Sequence, residues 1–182
     1  HREQRLPLTV IYPCWVYGEN DFTFVADLAD AIIKKEMIFW RKHAMIWPTY
    51  IDNLTDLILQ VSEDDRAVGK GYLVHDGESA TLQEFCDMIA EALDVPPVKT
   101  HIPFFLAYAY AMLQETTYKL LRRKKRPLLT TYIVKNLRSR LRFSIAKARI
   151  ELGWRPEISF NKGFETTMNW LKTVDRNKLK TK

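Results

Sequence analysis

Residues 12–21, YPCWVYGEND, hold the part of this chain best placed for chemistry. The apolar, β-branched run LTVIYP predicts a strand that reaches Pro13, and an aromatic pair then stops at Gly18 and an acidic turn. In open α/β sheets, ligands sit beyond the carboxyl ends of strands. A strand tip offers unpaired backbone donors and acceptors, and proline removes one donor while fixing the bend. The stretch therefore raises the question of a ligand at the strand tip, against the plainer reading of a strand exit with Trp15 in the core. Other reactive residue types are poorly arranged. Cys14 and Cys86 lie far apart with no C-x-x-C, which gives neither a disulfide framework nor a zinc signature, and a reducing compartment is expected. His43, His75 and His101 lack metal-ligand spacing and fall near predicted strand ends, so they read as structural and no metal site is expected. Asp27 with Asp30, and Asp64 with Asp65, read as exposed faces or caps rather than acid–base pairs.

Few strands are available to position such a tip. Beyond residues 8–12 the candidates are 37–40, GYLVH at 71–75 and VKTHI at 98–102. Helical spacing dominates elsewhere: 24–36, 53–63 entered through Asp52, and a helix capped by Thr81 and Glu84. In that third helix Leu82, Phe85, Cys86, Ile89 and Leu93 share one face, and VPPV ends it. Pro103 opens an apolar helix over 103–126. FSIAKARIELG follows with Ser144 as N-cap and Gly153 as C-terminal glycine, and a last helix covers 161–174. The two apolar strands at 8–12 and 71–75 read as neighbours in a parallel sheet, yet that sheet needs partners the chain hardly offers. The chain therefore reads as part of a larger protein.

At 182 residues, 47% of them hydrophobic and 27% charged, the composition is that of a globular domain with a real core. The amino-terminal residues carry no signal-peptide or transit pattern, and no apolar run approaches the roughly 20 residues of a spanning helix. The charge is lopsided. Of 28 Lys and Arg residues, twelve fall between Thr116 and Arg149, where there is no Asp or Glu, so the rest of the chain is net negative. Such a segment fits nucleic acid, anionic lipid or phosphorylated ligands, against a simple solvated face. Nucleic acid is the weakest of these, because the patch lacks the aromatic interleaving that stacks on bases.

Four segments, in this order, resemble the C-terminal half of extended short-chain dehydrogenases/reductases, most closely the 3β-hydroxysteroid dehydrogenase and NAD(P)-dependent epimerase/dehydratase proteins. LPLTVIYPCWVYGEND is similar to the family strand that ends in Arg-Pro and Val-Tyr-Gly. WPTYIDNLTDLILQ resembles the Val-Asp-Asn segment that opens a helix. GKGYLVHDGESATLQEFCDMIAEALDV looks like the strand, Asp-Gly turn and Thr-capped helix. FSIAKARIELGWRPEISFNKGFETTMNWL resembles the terminal Lys-Ala, Leu-Gly-Trp and Trp pattern. The family's glycine-rich turn and its Tyr-x-x-x-Lys pair have no counterpart here. Neither Tyr12 nor Tyr17 has a lysine four residues on.

The resemblance implies an α/β fold: the C-terminal part of a Rossmann-type parallel sheet plus a mostly helical substrate-binding subdomain. It divides the chain into 1–80 (last Rossmann strands and helices with part of the substrate cleft), 81–175 (helical lid) and a basic tail at 176–182. It implies NAD or NADP as cofactor, with Pro13, Cys14, Trp15 and Val16 as the floor under the nicotinamide and no catalytic residue within the chain. Nucleotide-sugar members carry an arginine near the position of Ile46; an apolar residue cannot pair a diphosphate. Trp15, Phe22, Phe24, Met45 and Tyr108 instead mark a cleft for a lipophilic, sterol-like substrate, against a reading as core aromatics. The expected activity is an oxidoreductase on a hydroxyl or keto group. The alternatives are a nucleotide-sugar epimerase/dehydratase and a non-catalytic binding module. Residues 103–126 join an apolar face to a polybasic end, which suits contact with an anionic membrane as well as a lid. Cytoplasmic placement, with or without a membrane surface, is expected, and a homodimer is left open.

Overall fold

The computed structural model describes residues 6–40, 44–122, 127, 129–137 and 141–175. His43, the basic tail 176–182 and residues 123–126 of the expected long helix lie outside them. In chain order the elements are β1 (Val10–Pro13), β2 (Trp15–Tyr17), α1 (Phe24–Ile33), β3 (Met45–Ile46), β4 (Pro48–Tyr50), α2 (Ile51–Glu63), β5 (Gly71–Val74), β6 (Ala80–Thr81), α3 (Leu82–Ala92), α4 (Phe104–Leu120), α5 (Thr131–Asn136), α6 (Ala146–Leu152) and α7 (Phe160–Thr173). Parallel strands among helices place the chain in the α/β class. Two compact units divide the chain. One holds residues up to Val25, Ile46–Ala80 and Arg142–Asp175, and the other holds Ala26–Met45 and Thr81–Leu141. Residues 142–175, expected with the 81–141 segment, thus pack with the strands of the first unit.

In the first unit β1 and β5 pair in parallel, from Val10 opposite Gly71 to Pro13 opposite Val74, as the two apolar runs predict. A second parallel pair was not anticipated: β2 with β4, from Trp15 opposite Pro48 to Tyr17 opposite Tyr50. These strands are too short to show an alternation, so periodicity gives no warning of them. Tyr72 and Val74 project to one face of β5, where they are buried with Leu57 of α2 and with Ala148, Leu152 and Trp154 at α6. The Trp154 indole N–H donates to Asp56 (2.8 Å), and the Gln60 amide donates to the Leu152 carbonyl (2.7 Å), which fixes α6 to α2. Gly153 ends α6 in the left-handed region (φ 70°), the role expected of it. Ser144 does not cap α6 in the usual position: Ile145 is the N-cap, and the Ser144 hydroxyl accepts from the Ala146 N–H instead. Likewise α2 starts one residue before Asp52, with Tyr50 as N-cap.

The strand ends are tied by one buried carboxylate. Asp76, just beyond β5, accepts from the Tyr50 N–H (2.8 Å) and the Asn53 amide (2.9 Å) on Oδ1, and from the Tyr17 hydroxyl (2.9 Å) on Oδ2. Asn53 in turn exchanges hydrogen bonds with both backbone groups of Ile158, just before α7. Burial raises the Asp76 pKa, and it outweighs the hydrogen bonds that favour the ion. Tyr17 is also pushed up, first by burial and then by the Asp76 charge. Helix α7, N-capped by Ser159, buries Phe160, Gly163, Phe164, Thr167, Met168 and Leu171 on one face. A Cβ at Gly163 would lie 2.8 Å from the Tyr17 hydroxyl and from the Tyr50 ring, so the absence of a side chain sets how closely α7 approaches.

On β1, Val10 (38% exposed) and Tyr12 (57%) face solvent, as do Leu6 and Leu8 before it, and β5 is its only strand neighbour among the described residues. In the second unit the Thr81–Glu84 capping box forms as expected, and Leu82, Phe85, Cys86 and Ile89 are buried below it. Helix α4 packs Ala107 and Ala111 on Val134 of α5, and Glu115 holds α5 by accepting from the Thr131 N–H and hydroxyl. The expected strands at 37–40 and 98–102 shrink to a single parallel bridge between Phe39 and His101. Prolines 96, 97 and 103 flank the second run and remove the donors a longer ladder needs.

Replacing Asp76 by Ala should cost about 2–4 kcal/mol, because buried donors lose their acceptor; Asp76→Asn should stay within about 1 kcal/mol of the parent at pH 7. A carboxyl whose folded pKa is raised favours the fold most below its unfolded value of about 3.9 and loses that advantage as pH rises through the folded value. Urea midpoints should therefore move in favour of Asp76→Asn, relative to the parent, between about pH 4 and pH 7; no such drift would show that Asp76 is not raised. Gly163→Ala should destabilise by about 1–3 kcal/mol, reversing the roughly 1 kcal/mol gain that alanine brings to an open helix site. A lowered urea midpoint at unchanged slope is the readout.

Candidate functional site

The chain changes partner at Cys14. Its N–H donates to the Val74 carbonyl (3.2 Å), the last bond toward β5, and the Trp15 N–H then donates to the Trp47 carbonyl (3.0 Å) at the start of β4. Pro13, which has no donor, sits at the hinge and is exposed. The expected tip is therefore a strand passing from one neighbour to the next, and the Cys14 and Trp15 donors expected to be unpaired are already used. What these residues can still offer a ligand is surface: the exposed Pro13 ring and the half-buried side chains of Cys14, Trp15 and Val16. Burial pushes the Cys14 thiol up to about 11, so it stands as a neutral thiol rather than a nucleophile at neutral pH.

The turn after Tyr17 is fixed by Asp21. Its Oδ1 accepts from the Thr23 and Phe24 N–H groups, each at 2.9 Å, and its Oδ2 accepts from the Val25 N–H (2.9 Å), which caps the start of α1. The cap places Phe24 against Trp15, ring centroids 5.0 Å apart, and presents Phe22 edge-on to Trp170 of α7 at 5.3 Å. Trp15 thus packs with Phe24, and Phe22 with Trp170, all on the first unit, Phe22 being the most exposed of the three candidates at 41%. The remaining two candidates belong to the second unit. Met45 is exposed on β3, and Tyr108 is half-buried on α4, stacked on Phe104 at 6.1 Å with the Lys135 ammonium 5.4 Å from its ring. Ile46 is fully buried.

Asp64 caps a short 3-10 turn and pairs with Arg66, and Asp30 pairs with Lys34. Burial pushes the Cys86 thiol up to about 12 inside α3. Among the described residues no cluster of three or more metal-ligating side chains occurs. The residues that sequence reasoning passed over are Asp76 and Asn53. The signal for them was present in YIDN and HDG, where a polar side chain directly follows an apolar strand segment and must find a partner if it is buried.

No family model matches the chain. It is 28% identical over 166 residues to a 2-alkyl-3-oxoalkanoate reductase of Shewanella oneidensis, covering 88% of this chain and 43% of that protein. It is 26% identical over 162 residues to short-chain dehydrogenase/reductase family 42E member 1 of Bos taurus, covering 84% of this chain and 41% of the relative. Among solved structures, UDP-glucuronic acid 4-epimerase from Bacillus cereus, determined with UDP-glucuronic acid and NAD, superposes with a TM-score of 0.65 at 15% identity, over 96% of this chain and 48% of that one. The chain thus shares the fold of that epimerase over nearly all its length, and it spans about half the length of each of these proteins. Its sequence is thus similar to proteins named as a reductase and as a short-chain dehydrogenase/reductase.

Proposed function

We propose that this chain is the C-terminal part of an NAD(P)-dependent oxidoreductase that acts on a hydroxyl or keto group of a lipophilic, sterol-like substrate. The observation that carries this reading is Ile46: where nucleotide-sugar members place an arginine, this chain has an apolar side chain that is wholly buried. The apolar faces of Trp15, Phe22 and Phe24 support a substrate that is recognised by shape rather than charge. Two relatives are named for compounds that have a carbonyl next to an alkyl or farnesyl chain, an oxoalkanoate and a farnesylated quinoline-oxide, which agrees with that choice.

The residues present fit a nicotinamide cofactor in part. Pro13 through Val16 supply a flat, apolar, weakly hydrated wall, but no glycine-rich turn at a helix N-terminus holds a pyrophosphate. The cofactor, when bound, supplies or accepts a hydride. The chain's own residues would exclude water from that transfer and orient the lipophilic body, while proton transfer falls to a tyrosine–lysine pair outside these residues. The rival reading, a nucleotide-sugar epimerase, rests on the structural likeness above, and a non-catalytic binding module is the third.

Helix α4 favours a further role for residues 103–126. Phe105, Leu106, Met112, Leu113 and Leu120 are all exposed along its 17 residues, and Lys119 and Arg122 stand at its C-terminal end. No helix among the described residues is long and apolar enough to cross a membrane. An exposed apolar face beside basic residues suits instead a helix lying in an anionic interface.

Fluorescence titration with NADH and NADPH should give binding only with a chain extended upstream of His1, and tight binding by the 182-residue chain alone would overturn the division of the site. In the extended protein a sterol ketone should oxidise NAD(P)H while UDP-glucose gives no protection against heat; the reverse result would favour the epimerase reading. Co-sedimentation with phosphatidylserine vesicles should weaken about tenfold on Leu113→Asp and fall steeply with salt, each basic residue contributing on the order of 1 kcal/mol. Equal retention of parent and variant would leave α4 as a lid.

A further inference from the structure

We infer that a cleft on the first unit, built from Trp47, His75, Gly77, Phe143 and Arg149, binds a small aromatic carboxylate. It is independent of the dehydrogenase reading and uses none of the residues assigned to it. The cleft holds about 210 Å³, room for one substituted ring and too little for a dinucleotide, since pockets for larger ligands run from about 300 Å³ upward.

Its walls are aromatic. The Trp47 ring lies 4.8 Å from the His75 ring and meets the Phe143 ring edge-on at 6.3 Å. Its polar side chains are His75, Arg149 and Ser144, whose hydroxyl oxygen accepts from the Ala146 N–H. His75 is 3% exposed, and its Nδ1 accepts from the Gly77 N–H at 2.9 Å. That bond leaves the ring proton on Nε2. Nε2 is buried and has no hydrogen-bond partner; the nearby Phe143 carbonyl favours its proton without meeting it in bonding geometry. A buried donor left unpaired costs about 1–3 kcal/mol, which a ligand acceptor would recover. Burial, and then the Arg149 charge, hold this imidazole in its neutral form, so the positive charge of the cleft belongs to Arg149.

Arg149 projects from α6 toward the turn after β5. Its Nη2 would lie 3.5 Å from a Cβ built on Gly77, an ordinary contact distance that places the guanidinium over this turn. Among the described residues no carboxylate pairs with it. Lining one cleft, a guanidinium and a neutral imidazole N–H match the oxygens of a carboxylate. The Trp47 and Phe143 faces match a flat apolar body rather than a hydrated tetrahedral ion. Together these features select an aromatic carboxylate over both a neutral aromatic and inorganic phosphate.

The test is a titration of the ¹⁵N-labelled chain with benzoate, its neutral counterpart benzamide, and phosphate. Benzoate should move the Trp47 indole and Gly77 amide signals saturably, with benzamide at least about tenfold weaker. Arg149 is exposed, so Arg149→Gln should keep the parent spectrum elsewhere and lose about tenfold in benzoate affinity; Phe143→Ala should weaken benzoate without restoring benzamide. Equal affinity for benzoate and benzamide, parent-like binding by Arg149→Gln, or no saturable shift at Trp47 would each overturn the proposal. Tighter binding of phosphate than of benzoate would overturn the choice of ligand.

Discussion

The Asp76 carboxylate is the interaction on which the first unit depends. Three strands end within reach of it: β2 at Tyr17, β4 at Tyr50 and β5 at Val74, two residues before Asp76 itself. No ladder bond joins all of these strands, because β1 pairs with β5 while β2 pairs with β4. The carboxylate bridges the pairs, and Asn53 extends the bridge to Ile158 and so to the start of α7. Burying a carboxyl costs several kcal/mol unless its oxygens are satisfied, and both oxygens are satisfied here. The Asp76 N–H donates to the Pro48 carbonyl at 2.8 Å, which fixes the backbone as well as the side chain.

That constraint explains why the chain can change partner at Cys14. A strand leaving β5 for β4 would open the sheet at its C-terminal end if nothing tied the two pairs. Tyr17 reaches back from β2 to Asp76, and its ring fits edge-on to Phe160 of α7. Gly163 lets α7 come down on Tyr17 and Tyr50 together. The exposed side of β1 is the counterpart: Val10 and Tyr12 have apolar surface and no strand beyond them among the described residues, which is where a neighbouring strand of a wider sheet would add.

What the sequence makes legible follows the range of the interactions. The capping box at Thr81 and Glu84 and the apolar stripe below it are written within a dozen residues, and they stand as read. So does the parallel pairing of β1 with β5, because both runs are apolar and β-branched. The pairing of β2 with β4 is hidden, since three residues carry no period and Pro48 argues against a strand. The Asp76 bridge is hidden for another reason: its partners lie 26, 23 and 59 residues away, and nothing in HDG names them. The candidate site was legible as a place on the chain but not as a geometry. Trp15 and Phe24 do meet, whereas Met45 and Tyr108 belong to the other unit.

The titratable groups near the strand ends share one direction of shift, and that bears on what this part of the protein can do. Burial raises the Cys14 thiol, the Tyr17 hydroxyl and the Asp76 carboxyl, and it lowers the His75 imidazole. Each of these shifts favours the neutral form. A nucleophile or general base needs the opposite treatment, a neighbouring charge or donor that stabilises its reactive form near neutral pH. None of these groups has a cation as the leading cause of its shift. The strand ends are therefore built as a poorly hydrated wall, held in shape by hydrogen bonds, rather than as a source of reactive groups. Burial thus suits these residues to packing and to keeping water out, and it does not prepare any of them to take or give a proton near neutral pH.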